Sequence, residues 1–207
     1  TAAGGVPQYL WLTDADIVHA PDTLRSLVAR AKAGDLVLVS LMAKLRCESL
    51  AEKFLIPAFV FFFAMLYPFA WANRKQNATA AAAGGCMLVK REALERIGGI
   101  EAIRREIIDD CALARRMKKE GGIWLGLTER SVSLRTYPRI ADVGRMIARS
   151  AYAELKYSPL RLAAVLLGMT VVYAAPFVLT FVSTNIAGLY AGMFAASAYL
   201  LIVTAYQ

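Results

Sequence analysis

Cysteine is scarce here and poorly spaced for chemistry. The 207-residue chain has three, Cys47, Cys86 and Cys111, odd in number and far apart. None has the paired spacing of a zinc ligand set, and together they read as reduced thiols in the cytosol. The marks of a nucleic-acid module are missing too: there is no zinc-finger spacing, no aromatic RNA-binding signature and no basic helix, so nucleic acid is not an expected partner. Charge is thin. Lys and Arg number 24 against 16 Asp and Glu, while 58% of residues are hydrophobic and the mean hydropathy is +0.47. An ordinary soluble domain is nearer half apolar. A net charge of +8 on so apolar a chain points to anionic membrane surfaces or phosphorylated ligands. An initiator Met and a signal peptide are also lacking, and the chain opens almost directly on a strand, so we expect a fragment without its N-terminal part.

What is present begins with Thr13-Asp14-Ala15-Asp16, after the apolar run Tyr9-Leu10-Trp11-Leu12. Such a run predicts a buried strand of a parallel sheet, with the two carboxylates at its carboxyl end, where open α/β sheets bind ligands. In extended chain, residues i and i+2 point the same way, so Asp14 and Asp16 could converge on a hard divalent cation, Mg²⁺ or Mn²⁺. The plainer alternative is a turn and helix cap, a common task for Asp. Leu24, Leu27, Val28 and Ala31 then recur at helical spacing, and residues 35–41 read as a second strand. Strand, helix and strand predict a βαβ unit in a mostly parallel layer.

Residues 54–73 carry no charge and approach the length of a membrane span. A single crossing there would separate Asp14 and Asp16 from any later site residues, so we expect an apolar helix lying in the membrane interface. Gly84-Gly85 precede another short strand, Cys86 to Val89. They suit close backbone approach to a ligand or a positive φ, and equally an ordinary turn. Asp109-Asp110 open a further helix. Helix capping explains them, and so does a general base whose proton affinity is raised by a like-charged neighbour. A basic stretch follows from Arg135 to Arg161, and then the uncharged runs 162–182 and 186–206, each long enough to span and joined by Ser183-Thr184-Asn185. The basic stretch places the preceding domain on the cytoplasmic side. We therefore expect a catalytic domain over 1–157 and a transmembrane hairpin over 158–207, in the cytoplasmic (inner) membrane.

Trp11 to Asp16, Ala83 to Leu94, Ile97-Gly98-Gly99 and Ile108 to Arg116 together resemble a membrane-anchored family 2 glycosyltransferase, closest in wording to the bacterial hopanoid-biosynthesis-associated enzymes. The likeness covers essentially the whole chain. It implies the C-terminal part of an α/β GT-A fold, Rossmann-like and mostly parallel, with inverting transfer from a nucleotide sugar to a membrane lipid, a hopanoid among the candidates. By that likeness Asp14 and Asp16 hold the metal and diphosphate, with Gly84, Gly85 and Arg149 in the donor site. Asp110 is then the base, and Asp109 the acidic residue before it. The Gln-x-x-Arg-Trp signature of processive relatives is absent, and Arg149 is at best its arginine remnant, which argues against polymer synthesis. Two other classes stay open on the residues alone: a non-enzymatic membrane module, and a metal-dependent phosphoryl or nucleotidyl transferase.

Overall fold

A computed structural model describes residues 5–182 and 185–205. They fall into two compact units. One comprises the described residues up to Ser49 with Phe62–Pro138, the other Leu50–Phe61 with the chain from Arg139 onward.

In the first unit the elements run β1 (Tyr9–Leu12), β2 (Ile17–His19), α1 (Thr23–Ala33), β3 (Leu36–Lys44), α3 (Phe69–Ala72), β4 (Met87–Lys90), α4 (Arg91–Arg96), α5 (Asp109–Glu120) and β5 (Gly122–Ser133); α2 (Leu50–Leu66) passes from the second unit into the first. Among the described residues the strands form one sheet in the order β1-β4-β3-β5-β2. Successive side chains pack on opposite faces of the central strands. Leu38, Met87 and Val89 belong to a core beneath α4 and α5, whereas Val39, Cys86 and Leu88 pack with Leu27 and Ala31 of α1 on the other face. Both faces are thus covered, and α1 and α5 supply the lids.

The expectation of a mostly parallel sheet is corrected. β3 and β5 are parallel, but β4 runs antiparallel to both β1 and β3, and β2 antiparallel to β5. The continuous apolar runs were a sign of burial on both faces, which a mixed sheet shares when helices cover it. Strand direction followed instead from β4, which arrives after a long excursion through α2 and α3 and not by a right-handed crossover from β3.

The sheet also has to curl. Its edge strands β1 and β2 are neighbours in sequence, with only residues 13–16 between them. Four interstrand steps in a flat sheet would set the edges about 19 Å apart. The five residue steps from Leu12 to Ile17 reach at most about 18 Å when fully extended, and a turn shortens them, with Ile17 N–H donating to the Asp14 carbonyl at 3.3 Å. Strand β5 accommodates the closure through an irregular register with β3, its later part pairing with β2.

The second unit continues with α6 (Ile140–Glu154), α7 (Pro159–Met169), a π-helical turn (Thr170–Ala174), α8 (Ala175–Val182) and α9 (Ile186–Ala205). Lys156 and Tyr157 take left-handed φ of 53° and 54°, and Ser158 caps α7 by accepting from Arg161 N–H. That corner bends α6 from the following helix by 118°. The expected spans are modified here. Residues 162–182 are split by the π-helical turn, where Pro176 has no N–H to offer the preceding turn. No single helix among the described residues is long and apolar enough to cross a membrane, although the bent pair from Ile140 to Val172 passes on length and composition. The expected turn at Ser183 and Thr184 lies outside the described residues. The apolar run 54–73 is likewise two helices, α2 and α3, parted at Pro68.

Candidate active site

The loop after β1, the loop before β4 and the start of α5 meet at one end of the curled sheet. Three hydrogen bonds define the meeting. Gly84 N–H donates to Asp110 Oδ2 at 2.9 Å, the Thr13 hydroxyl donates to the Gly85 carbonyl at 3.0 Å, and Cys111 N–H donates to Asp110 Oδ1 at 2.7 Å. Of the expected site residues, Asp14, Asp16, Gly84, Gly85, Asp109 and Asp110 are brought together in the first unit. Arg149 lies on α6, in the second.

Asp14 and Asp16 do not converge in the way expected. The strand ends at Leu12 and the carboxylates occupy a turn, so the alternation of extended chain does not orient them. Their closeness shows in their charges instead. The Asp14 carboxyl is pushed above its ordinary value, first by burial and then by the negative charges of Asp16 and Asp109, with Arg135 opposing. Arg135 Nε stands 3.0 Å from Asp16 Oδ2. Leu134 N–H donates to the Asp16 carbonyl at 2.8 Å, which ties the end of β5 to the same turn.

Asp110 differs. Both of its oxygens accept a backbone N–H, and its side chain is half-buried at the second position of α5. Burial raises its proton affinity most; the two backbone bonds oppose this, and the exposed Asp109 adds to it. Capping and orientation are therefore the same contacts here. The Asp110 carboxylate serves the helix through Cys111 N–H, and through Gly84 N–H it is aimed at the glycine loop.

Gly84 and Gly85 are not in the positive-φ region; among the described glycines that conformation belongs to Gly98 and Gly99. What Gly85 provides is close approach, since a Cβ there would stand 3.3 Å from the Ile17 side chain. Gly84 contributes its N–H.

Three contributors were not singled out as site residues in the sequence. Ser40, buried in β3, accepts from Ala83 N–H at 2.8 Å and donates to the Ala83 carbonyl at 3.1 Å, which fixes the glycine loop. Its signal was a lone hydroxyl inside an apolar strand. His19 joins Thr13 Oγ1 through Nε2 and Ser131 Oγ through Nδ1, both at 2.8 Å. The Thr13 hydroxyl also lies 3.2 Å from the Asp14 carbonyl, so Thr13 links the turn, the glycine loop and His19. Burial holds this imidazole below its ordinary pKa. The third is Arg135, which the sequence showed only as the first cation of a basic stretch.

Among the described residues, no group of three or more His, Cys, Asp or Glu side chains forms a ready metal cage. An arrangement of two carboxylates, whose mutual repulsion a cation would relieve, with substrate phosphates completing the shell, is what Mg²⁺ commonly accepts. The donor set fits.

No curated protein matches the chain. A family model does: that of glycosyl transferase family 21 matches residues 7–207. The motif wording had suggested family 2; the family that matches is 21, and glycosyltransferase activity is common to both readings. That removes the non-enzymatic module and the phosphoryl transferase. A nucleotide-sugar donor and an acceptor follow from the activity. With the match running over nearly all of its length, the chain belongs to glycosyl transferase family 21.

Proposed function

We propose that this glycosyltransferase inverts the anomeric centre, moving a sugar from a nucleotide diphosphate to the hydroxyl of a membrane lipid, with Asp110 as general base. The observation that carries the reading is the fixed, desolvated Asp110 carboxylate at the meeting point of the 13–16 turn and the glycine loop. The acceptor oxygen attacks the anomeric carbon, the bond from that carbon to the diphosphate oxygen breaks, and the hydroxyl proton passes to Asp110. Raised proton affinity suits a group that must take a proton near neutral pH.

Asp14 and Asp16 are the residues that would hold a divalent cation. When bound, the cation supplies charge stabilisation to the departing diphosphate. Asp109 tunes its neighbour and enlarges the negative potential around Asp14.

Support for a lipid acceptor comes from the second unit. Leu160, Phe181, Ile186 and Phe194 are all more than 70% exposed there, a degree of apolar exposure that marks an interaction surface. We assign that surface to the cytoplasmic membrane, as an interfacial and multi-pass anchor with the catalytic unit on the cytoplasmic side, and hopanoids are the first lipid class to try. The test is incubation of the full-length protein with a panel of nucleotide sugars and membrane lipid extracts, read by mass spectrometry. Sugar appearing on a lipid supports the assignment. Transfer confined to soluble acceptors would overturn the lipid reading and leave the chemistry standing.

A further inference from the structure

We propose that Arg135 is a donor-responsive latch: it occupies Asp16 while the site is empty and moves to the diphosphate when the donor enters. The proposal rests on the assignment of Asp14 and Asp16 to the cation. Arg135 Nε lies 3.0 Å from Asp16 Oδ2, so a guanidinium covers an oxygen that the cation would use. Its backbone cannot drift, because the neighbouring Leu134 N–H is bonded to the Asp16 carbonyl at 2.8 Å. Its side chain can swing, being 58% exposed against 31% for the Asp16 side chain. The guanidinium also donates to the Tyr137 side chain, which offers it a second resting partner.

The energetics favour exchange over permanence. An exposed ion pair is worth little in water, so leaving Asp16 costs little. A diphosphate presents paired oxygens and more than one negative charge, the geometry that an arginine fork binds best. A cation arriving alone, in contrast, has to displace a like charge from Asp16 and offers Arg135 nothing in return. Metal and donor should therefore bind well only together. That separates a latch from a plain phosphate-binding arginine: removing Arg135 should strengthen one ligand and weaken the other.

The test uses the full chain, wild type and two variants, with Mn²⁺ alone and metal-free inorganic pyrophosphate as separate probes. Equilibrium dialysis reads the metal and titration calorimetry the anion. Arg135→Gln should bind Mn²⁺ alone about threefold or more tighter, the scale of a lost exposed ion pair. It should bind pyrophosphate about tenfold or more weaker, the scale of lost charge-assisted hydrogen bonds. Arg135→Lys keeps the competing charge without the fork, so its Mn²⁺ affinity should match wild type while pyrophosphate affinity falls part of the way. Unchanged or weaker Mn²⁺ binding by Arg135→Gln overturns the latch. Tighter Mn²⁺ with unchanged pyrophosphate overturns the transfer to the diphosphate. Mn²⁺ retained by none of the three proteins, with or without pyrophosphate, sinks the assignment of Asp14 and Asp16 to a cation, a pattern distinct from the other two.

Discussion

The 13–16 turn and the start of α5 each carry two carboxylates with at most one residue between them, yet they treat charge in different ways. Asp14 is exposed; partial burial raises its proton affinity most, and three neighbouring charges act on it besides, two negative and one positive. Asp110 is half-buried and shaped by the backbone, with an N–H on each oxygen. An open, crowded pair is poised for a cation from solution. An enclosed carboxylate with fixed orientation is suited to a proton at a defined point. One residue type thus performs two tasks, and the difference lies in solvation and hydrogen bonding.

The sharpest way to break that contrast is Asp110→Asn. Asparagine cannot accept the proton, and turnover should fall by about a hundredfold or more. Asparagine also has one oxygen where aspartate offers two, so either Gly84 N–H or Cys111 N–H loses its acceptor. That costs about 1 kcal/mol, or a few degrees in melting temperature. Donor affinity should not change. Initial rates, thermal denaturation and calorimetry check the three parts, and near-normal turnover would reduce Asp110 to a helix cap.

Asp16→Asn should act on the other side of the contrast. The donor's affinity in the presence of Mn²⁺ should fall by about tenfold or more, while affinity without metal should rise by up to about threefold, because Arg135 is no longer held on Asp16. Calorimetry with and without the ion decides it; equal losses in both conditions would mean the carboxylate only shapes the turn.

Asp109→Asn should give the smallest effect. Because Asp110 is held above the ordinary aspartate value of 3.8, the acid limb of kcat/KM should lie above that pH. Losing the Asp109 charge should move the limb downward, but not back to 3.8, because burial is the larger cause. The same shift affects stability. A folded state that holds its proton after the unfolded chain has lost it becomes less favoured as pH rises above 3.8, so Asp110 opposes folding at neutral pH and does not support it. A rate profile with an unmoved limb would remove Asp109 from any tuning role.

Much of the site could be read from the sequence because its residues sit at element ends. β1 stops just before Asp14, α5 starts at Asp109, and the glycines precede β4, all places where composition changes abruptly. Strand β2 could not be read this way. Three residues with one partner strand leave no period to detect. Ser40, His19 and Arg135 also went unassigned, for a common reason. Each acts through a residue distant in sequence, Ala83, Ser131 and Asp16 respectively, and it is the pairing of β3 with β4 and of β2 with β5 that makes them neighbours.

The curl of the sheet bears on the order in which the molecule comes apart. Strand β2 is three residues long, lies at an edge and is held by β5 alone, whereas β3 sits between two strands with its centre fully buried. Amide protons of Ile17, Val18 and His19 should exchange through local openings, long before those of Leu38 and Val39 yield to global unfolding. Each such opening would free the turn that bears Asp14 and Asp16 while leaving Asp110 seated on α5. Anything that bridges the turn to the glycine loop then slows exchange at β2 first, so the most weakly held strand of the sheet is also where occupancy of the site would be read most directly.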